Sequence, residues 1–131
     1  MIAGGRRDGN MKGERKRRID PHLEENCVRC ANLATEVLLQ GKWRLHILCA
    51  MRSGPVRLGQ LARLIPAASK KMLTQNLRKL EGNGIVVRRD LSKTVLHIEY
   101  DFDDSARDEV CALLDALVAW GDFRLRHHTM P

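Results

Sequence analysis

The chain has 131 residues, 44% of them apolar, which suits one domain with a real core and excludes a chain disordered throughout. Lys and Arg number 23 against 16 Asp and Glu, a net charge of +7 with a pI near 9.7, and that balance suits a polyanionic partner. No apolar run approaches the roughly 18 residues of a membrane span and the basic N-terminus lacks a signal peptide's apolar stretch, so a cytoplasmic protein is expected, its four cysteines free thiols.

The charge is unevenly spread. From Asp101 to Asp122 seven acids stand against one base, Arg107, a net of −6 that leaves +13 for the remainder. One face is therefore expected to meet the polyanion. Residues 1–24 begin with "MIAGGRRDGNMKGERKRRI", basic, glycine-containing and without periodicity, and are expected as a flexible arm, with Met11 an alternative start.

A first helix is predicted over Glu25–Leu39, with Val28, Ala31, Leu33, Ala34, Val37 and Leu38 as its apolar stripe. Gly41 breaks it, and "KWRLHILCAM" predicts a second helix, stopped by Gly54 and Pro55. "VRLGQLARLI" predicts a third, with Leu58, Leu61, Leu64 and Ile65 facing inward, ended by Pro66. Ser69 is a good N-cap for a fourth, whose Leu73, Leu77 and Leu80 recur at helical spacing and which ends at "GNG". "IVVRR" and "VLHIEY" are β-branched runs around the polar "DLSKT", a hairpin. A last helix is predicted over 103–123, entered through a Ser105–Asp108 capping box.

Three compact helices followed by a two-stranded hairpin make a winged helix-turn-helix, an α+β fold that is mostly α. Its turn is "IPAAS". In such a unit the second helix of the motif enters the major groove of double-stranded DNA. Burying Leu73, Leu77 and Leu80 turns Lys70, Lys71, Thr74, Gln75 and Arg78 outward, beside Ser69. Those types fit base edges: Arg or Lys to guanine, Gln to adenine, Thr to a thymine methyl. The wing's Arg88, Arg89 and Lys93 are expected at the backbone or minor groove.

"GKWRLHIL", "GPVRLGQLARLIP" and "SKKMLTQNLRKLEGNGIV", with a weaker "IEY", resemble the HxlR-type transcriptional regulators, a winged-helix group similar to the MarR-like regulators, across residues 27 to 121. The resemblance implies a homodimer on operator DNA, with terminal helices carrying the dimer contact. It places Lys71, Thr74, Gln75 and Arg78 on the recognition helix, Arg57 at a phosphate-contacting position, and Trp43 on the family's tryptophan. The chain departs from the pattern at the wing, which lacks the usual proline, and after Tyr100, where it reads "DFDDSAR". The stripe of Val110, Leu113, Leu114, Leu117 and Val118 is expected to bury against the partner, leaving 123–131 as a tail.

"CVRC" carries Cys27 and Cys30, and Cys30 matches the cysteine opening "CPV" in family members, some of which use it to sense oxidants or electrophiles. An inert thiol, a redox or electrophile sensor and a metal ligand all stay open, although zinc would need two further ligands. Cys49 and Cys111 fall in apolar helices and are expected in the core. No nucleophile–base pair or paired carboxylates in a cleft can be discerned, so no enzyme, cofactor or metal is expected. The reading is a homodimeric regulator, a repressor or activator, on a palindromic operator, with an oxidant or small-molecule effector open. Two other classes remain: a non-specific DNA-binding protein, and a protein-interaction module on the same scaffold.

Overall fold

The computed structural model describes residues 21–128. Residues 1–20 and 129–131, with most of the predicted arm and the end of the predicted tail, lie outside the described residues. The chain divides into two compact units, 1–33 and 34–131. In the first, helix α1 (Pro21–Ala34) begins four residues before the predicted Glu25. It starts on a proline, whose fixed φ and missing N–H suit the first helical position. Val28, Leu33, Cys27 and Cys30 are all exposed on it.

The second unit opens with a π turn over Thr35–Leu39, closed by the Gln40 N–H donating to the Thr35 carbonyl at 2.9 Å. Helix α2 (Arg44–Ala50) follows and tightens into a 3₁₀ turn at Met51–Ser53. Gly54 ends it at φ +140°, a conformation that needs glycine. Helix α3 (Leu58–Leu64) is shorter than the predicted run. Val56 is instead extended, exchanging backbone hydrogen bonds of 2.8 and 2.7 Å with Tyr100. Leu61 and Ile65 are buried as predicted, but Leu64 is 63% exposed, because the other two already fill the core side of so short a helix.

Helix α4 (Lys70–Gly82) is capped as expected: the Met72 N–H donates to Ser69 Oγ at 3.1 Å. Leu73, Leu77 and Leu80 are fully buried, each worth roughly 2–3 kcal/mol against exposure. Strands β1 (Val86–Asp90) and β2 (Ile98–Phe102) are antiparallel, pairing Val86 with Phe102 and Asp90 with Ile98. The second strand thus starts three residues after the predicted Val95 and runs on through "DF".

Helix α5 spans Arg107–His127, into the predicted tail, and has no capping box. Asp103 replaces it: its Oδ1 accepts from the Ser105 N–H at 3.0 Å and the Ser105 hydroxyl at 2.7 Å, and its carbonyl accepts from the Arg107 N–H. The predicted dimer stripe also divides. Val110 and Leu114 are 5% and 1% exposed and belong to the chain's own core with Ile47, Leu48 and Phe102, so they are not available to a partner. Leu113, Leu117 and Val118 remain exposed. Cys49 is exposed and Cys111 half-buried, against the expectation of two core thiols.

Asp101 fastens the wing to α5. It is buried and accepts from Arg107 at 3.1 Å, from the Phe102 N–H at 2.8 Å and from Arg89 at 3.3 Å. Burial pushes its carboxyl up, but the bonds from Arg107, Phe102 and Arg89 outweigh burial and hold it below the usual carboxylate range. A depressed acid stabilises the fold above its unfolded pKa, and that stability is lost as pH falls through the folded value. Asp101→Asn is therefore expected to cost about 1–3 kcal/mol at neutral pH. The gap from wild type should close below the ordinary carboxylate range. Thermal melts across pH check this, and a gap independent of pH would remove charge as its cause.

Candidate nucleic-acid interface

The leucine stripe of α4 is turned into the core, and the opposite side of the helix carries the predicted contact residues. Ser69, Lys70, Lys71, Gln75 and Arg78 are exposed and Thr74 is half-buried. Glu81, in the helix's last turn, is its single acid. The turn before it is compact: the Ala68 N–H donates to the Ile65 carbonyl at 3.1 Å and the Ala68 side chain is buried, which sets α4 against α3.

The wing brings its cations together only in part. Neighbouring strand residues point to opposite faces, so Arg88 and Arg89 lie on opposite faces of the wing. Arg89 is turned to Asp101, whereas Arg88 is exposed and Lys93 stands at the exposed wing tip. That tip is shaped by Asp90, which accepts from the Ser92 N–H at 2.9 Å, and by Ser92 Oγ, which accepts from the His97 N–H at 2.8 Å. Hydrogen bonding from the Ser92 side chain, and then from its backbone N–H, holds the Asp90 carboxyl below its usual range. Arg57 sits between the two parts. Its backbone N–H donates to Gln60 Oε1 at 2.8 Å and its Nη2 to the Leu96 carbonyl at 3.1 Å, so one side chain ties the start of α3 to the wing.

Two residues behind this surface went unassigned in the sequence. Asn76 is buried on the leucine face of α4, three positions after Leu73 and four before Leu80. An amide at that spacing is the signal that could have found it, because a buried amide needs partners. Its Nδ2 donates to the Met72 carbonyl at 3.0 Å, and its Oδ1 accepts from Arg44 Nε at 3.0 Å. Arg44 Nη1 donates in turn to the carbonyls of Glu36 and Val37, both at 2.8 Å. Helix α4 is thereby clamped to the π turn. Trp43 is half-buried against the core, with the His46 ring edge-on at 5.0 Å.

Among the described residues no group of three or more His, Cys, Asp or Glu is placed to hold a metal ion, and no helix is long and apolar enough to cross a membrane. Cys27 and Cys30 lie three apart on α1, both accessible to solvent-borne reagents.

Known proteins share both sequence and fold with this chain. The HxlR-like helix-turn-helix profile matches residues 38–129. The HTH-type transcriptional regulator YtcD of Bacillus subtilis is 38% identical over 93 residues, 69% of this chain and 73% of YtcD. The crystal structure of ytcD superposes with a TM-score of 0.65 over 72% of this chain and 95% of that one, at 35% identity. The redox regulator HypR in its reduced form superposes with a TM-score of 0.67 at 26% identity, over 72% of this chain and 92% of HypR. The transcriptional regulator YodB of B. subtilis is 31% identical over 94 residues, 71% of this chain and 83% of YodB. With a profile match over most of its length and a wing and helix-turn-helix in the expected order, the chain belongs to the HxlR-like helix-turn-helix family of transcriptional regulators.

Proposed function

We propose that the protein is a homodimeric, sequence-specific regulator that reads a palindromic operator through α4 and the wing. The observation that carries this is the outward face of α4, where Lys70, Lys71, Thr74, Gln75 and Arg78 are presented together while Leu73, Leu77 and Leu80 hold the helix in the core. Arg57, Arg88 and Lys93 supply phosphate contacts at its edges. Two-fold symmetry would set half-sites about one helical turn, or a multiple, apart. The exposed part of α5 carries the dimer contact.

A thiol response belongs to the same proposal. HypR is described as a redox regulator, and a diamide-treated form of YodB is known. Cys30, exposed on α1 with Cys27 one turn away, is the group through which an oxidant or electrophile would act.

Fluorescence anisotropy on DNA from upstream of the protein's own gene, against a scrambled duplex at physiological salt, tests the reading. A preference of about a thousandfold or more is expected. Arg78→Ala should relax the preference at one base position by about 1–3 kcal/mol. Lys93→Ala should weaken all duplexes alike and lower the salt slope by about 1. Uniform weakening by both variants would take base reading away from α4. Repeating the titration with an oxidant, in wild type and Cys30→Ser, tests the thiol response.

A further inference from the structure

Arg44 is a cation in an unusual position. Only 7% exposed, it satisfies Nε and Nη1 with neutral acceptors: the Asn76 amide and the Glu36 and Val37 carbonyls. No acid pairs with it among the described residues, and its Nη2 donates to none of them. A buried charge without an opposite charge is costly, and such groups are normally paired. Arg44 lines a cavity of about 460 Å³ between the Gly41 turn and the flank of α4, which Arg78 and Lys79 also line. Three cations and no acid therefore surround one space.

The remaining wall adds the Gln75 amide and the thioether of Met72, itself 38% exposed. The volume is that of small-molecule sites, about 300–1,000 Å³, and several times what one phosphate group fills. Gly41 lets the cluster close this tightly: a Cβ there would lie 2.0 Å from Asn76 Oδ1 and 2.3 Å from Arg44 Nε.

We propose that this cavity binds a small organic anion, a carboxylate carried on an apolar body, and that the ligand competes with DNA for Arg78 and Gln75. The carboxylate meets Arg44, Arg78 and Lys79, and the apolar body lies against Met72. Because Arg78 and Gln75 also belong to the proposed reading face, occupancy neutralises one reading residue and engages another. That second half rests on α4 being the reading helix; the site itself does not.

Calorimetric titration of the full chain, without DNA, with benzoate and separately with inorganic phosphate tests the site. Saturable benzoate binding with a Kd of about 1 mM or tighter is expected, with phosphate weaker because it lacks an apolar body. Lys79→Gln and Met72→Ser should each weaken benzoate about tenfold, and circular dichroism confirms that both variants are folded. Benzoate should also lower wild-type affinity for duplex DNA and leave that of Lys79→Gln nearly unchanged. Absence of saturable benzoate binding overturns the proposal, as does binding that neither variant moves. If benzoate fails to bind while Lys79→Gln lowers the salt slope of DNA binding by about 1, the cavity is a backbone-phosphate contact, and the proposal fails. Benzoate bound in this cavity by a protein that reads no operator supports the site and sinks the reading of α4 instead.

Discussion

With the proposed dimer contact on α5, replacing Leu117 by Asp is expected to give a monomer and to lower affinity for the proposed operator by about a hundredfold or more. Leu113, Leu117 and Trp120 follow one another at helical spacing on α5 and are all exposed, and Val118, Phe123 and Leu125 extend the apolar surface toward its C-terminus. An exposed apolar surface of that extent marks an interaction site. Leu117 is not in the core, so an aspartate there spares the protomer while placing an unpaired charge at the proposed contact. In the proposed dimer, losing the partner would convert a linked pair of half-site contacts into two independent weak ones. Light scattering behind size-exclusion chromatography reads the mass, and anisotropy reads the affinity. A variant that stays dimeric with unchanged affinity would move the contact off α5. A monomeric wild type would remove the dimer from the proposal.

Arg44→Met is expected to destabilise the second unit by about 3 kcal/mol or more, lowering Tm by roughly 10 °C or more. Methionine fills similar volume, so the effect does not come from a cavity. It comes from three acceptors left without a donor: Asn76 Oδ1 and the carbonyls of Glu36 and Val37. Asn76 is the only one of these on α4, so that helix also loses its tie to the π turn. Thermal and urea unfolding followed by circular dichroism measure the loss. If the variant melts with wild type, water satisfies those acceptors as well as Arg44 does, and the clamp is not a stabilising element.

Much of this molecule can be read along the chain because its signals are local. Ser69 caps α4, and leucines at positions 73, 77 and 80 bury one face of it and leave the polar face out. Gly54 and Gly84 take positive φ where the chain must turn. Each of these follows from a residue and its near neighbours, so the helix-turn-helix and the hairpin emerge from periodicity and turn chemistry, whereas the family rests on the resemblance of whole motifs such as "GKWRLHIL" and "SKKMLTQNLRKLEGNGIV".

What escaped depends on partners distant in sequence. An apolar period says that a face is buried without saying against what: the single stripe predicted on α5 divides between the chain's own core, at Val110 and Leu114, and an open surface at Leu113, Leu117 and Val118. Leu64 turns outward and Cys49 is exposed for the same reason. Strand limits followed the partner strand rather than β-branching, so "DF" joined the sheet and Val95 did not. Asp103 displaced the Ser105–Asp108 box because its carboxylate takes the Ser105 N–H, one of the box's two donors, and its carbonyl accepts from the Ala106 and Arg107 N–H groups at the helix start. The pairing of Arg44 with Asn76 joins residues 32 positions apart. Local sequence sets which faces are apolar and where the backbone turns. Only packing decides which buried polar groups find one another, because that choice is made by whatever chain arrives on the other side.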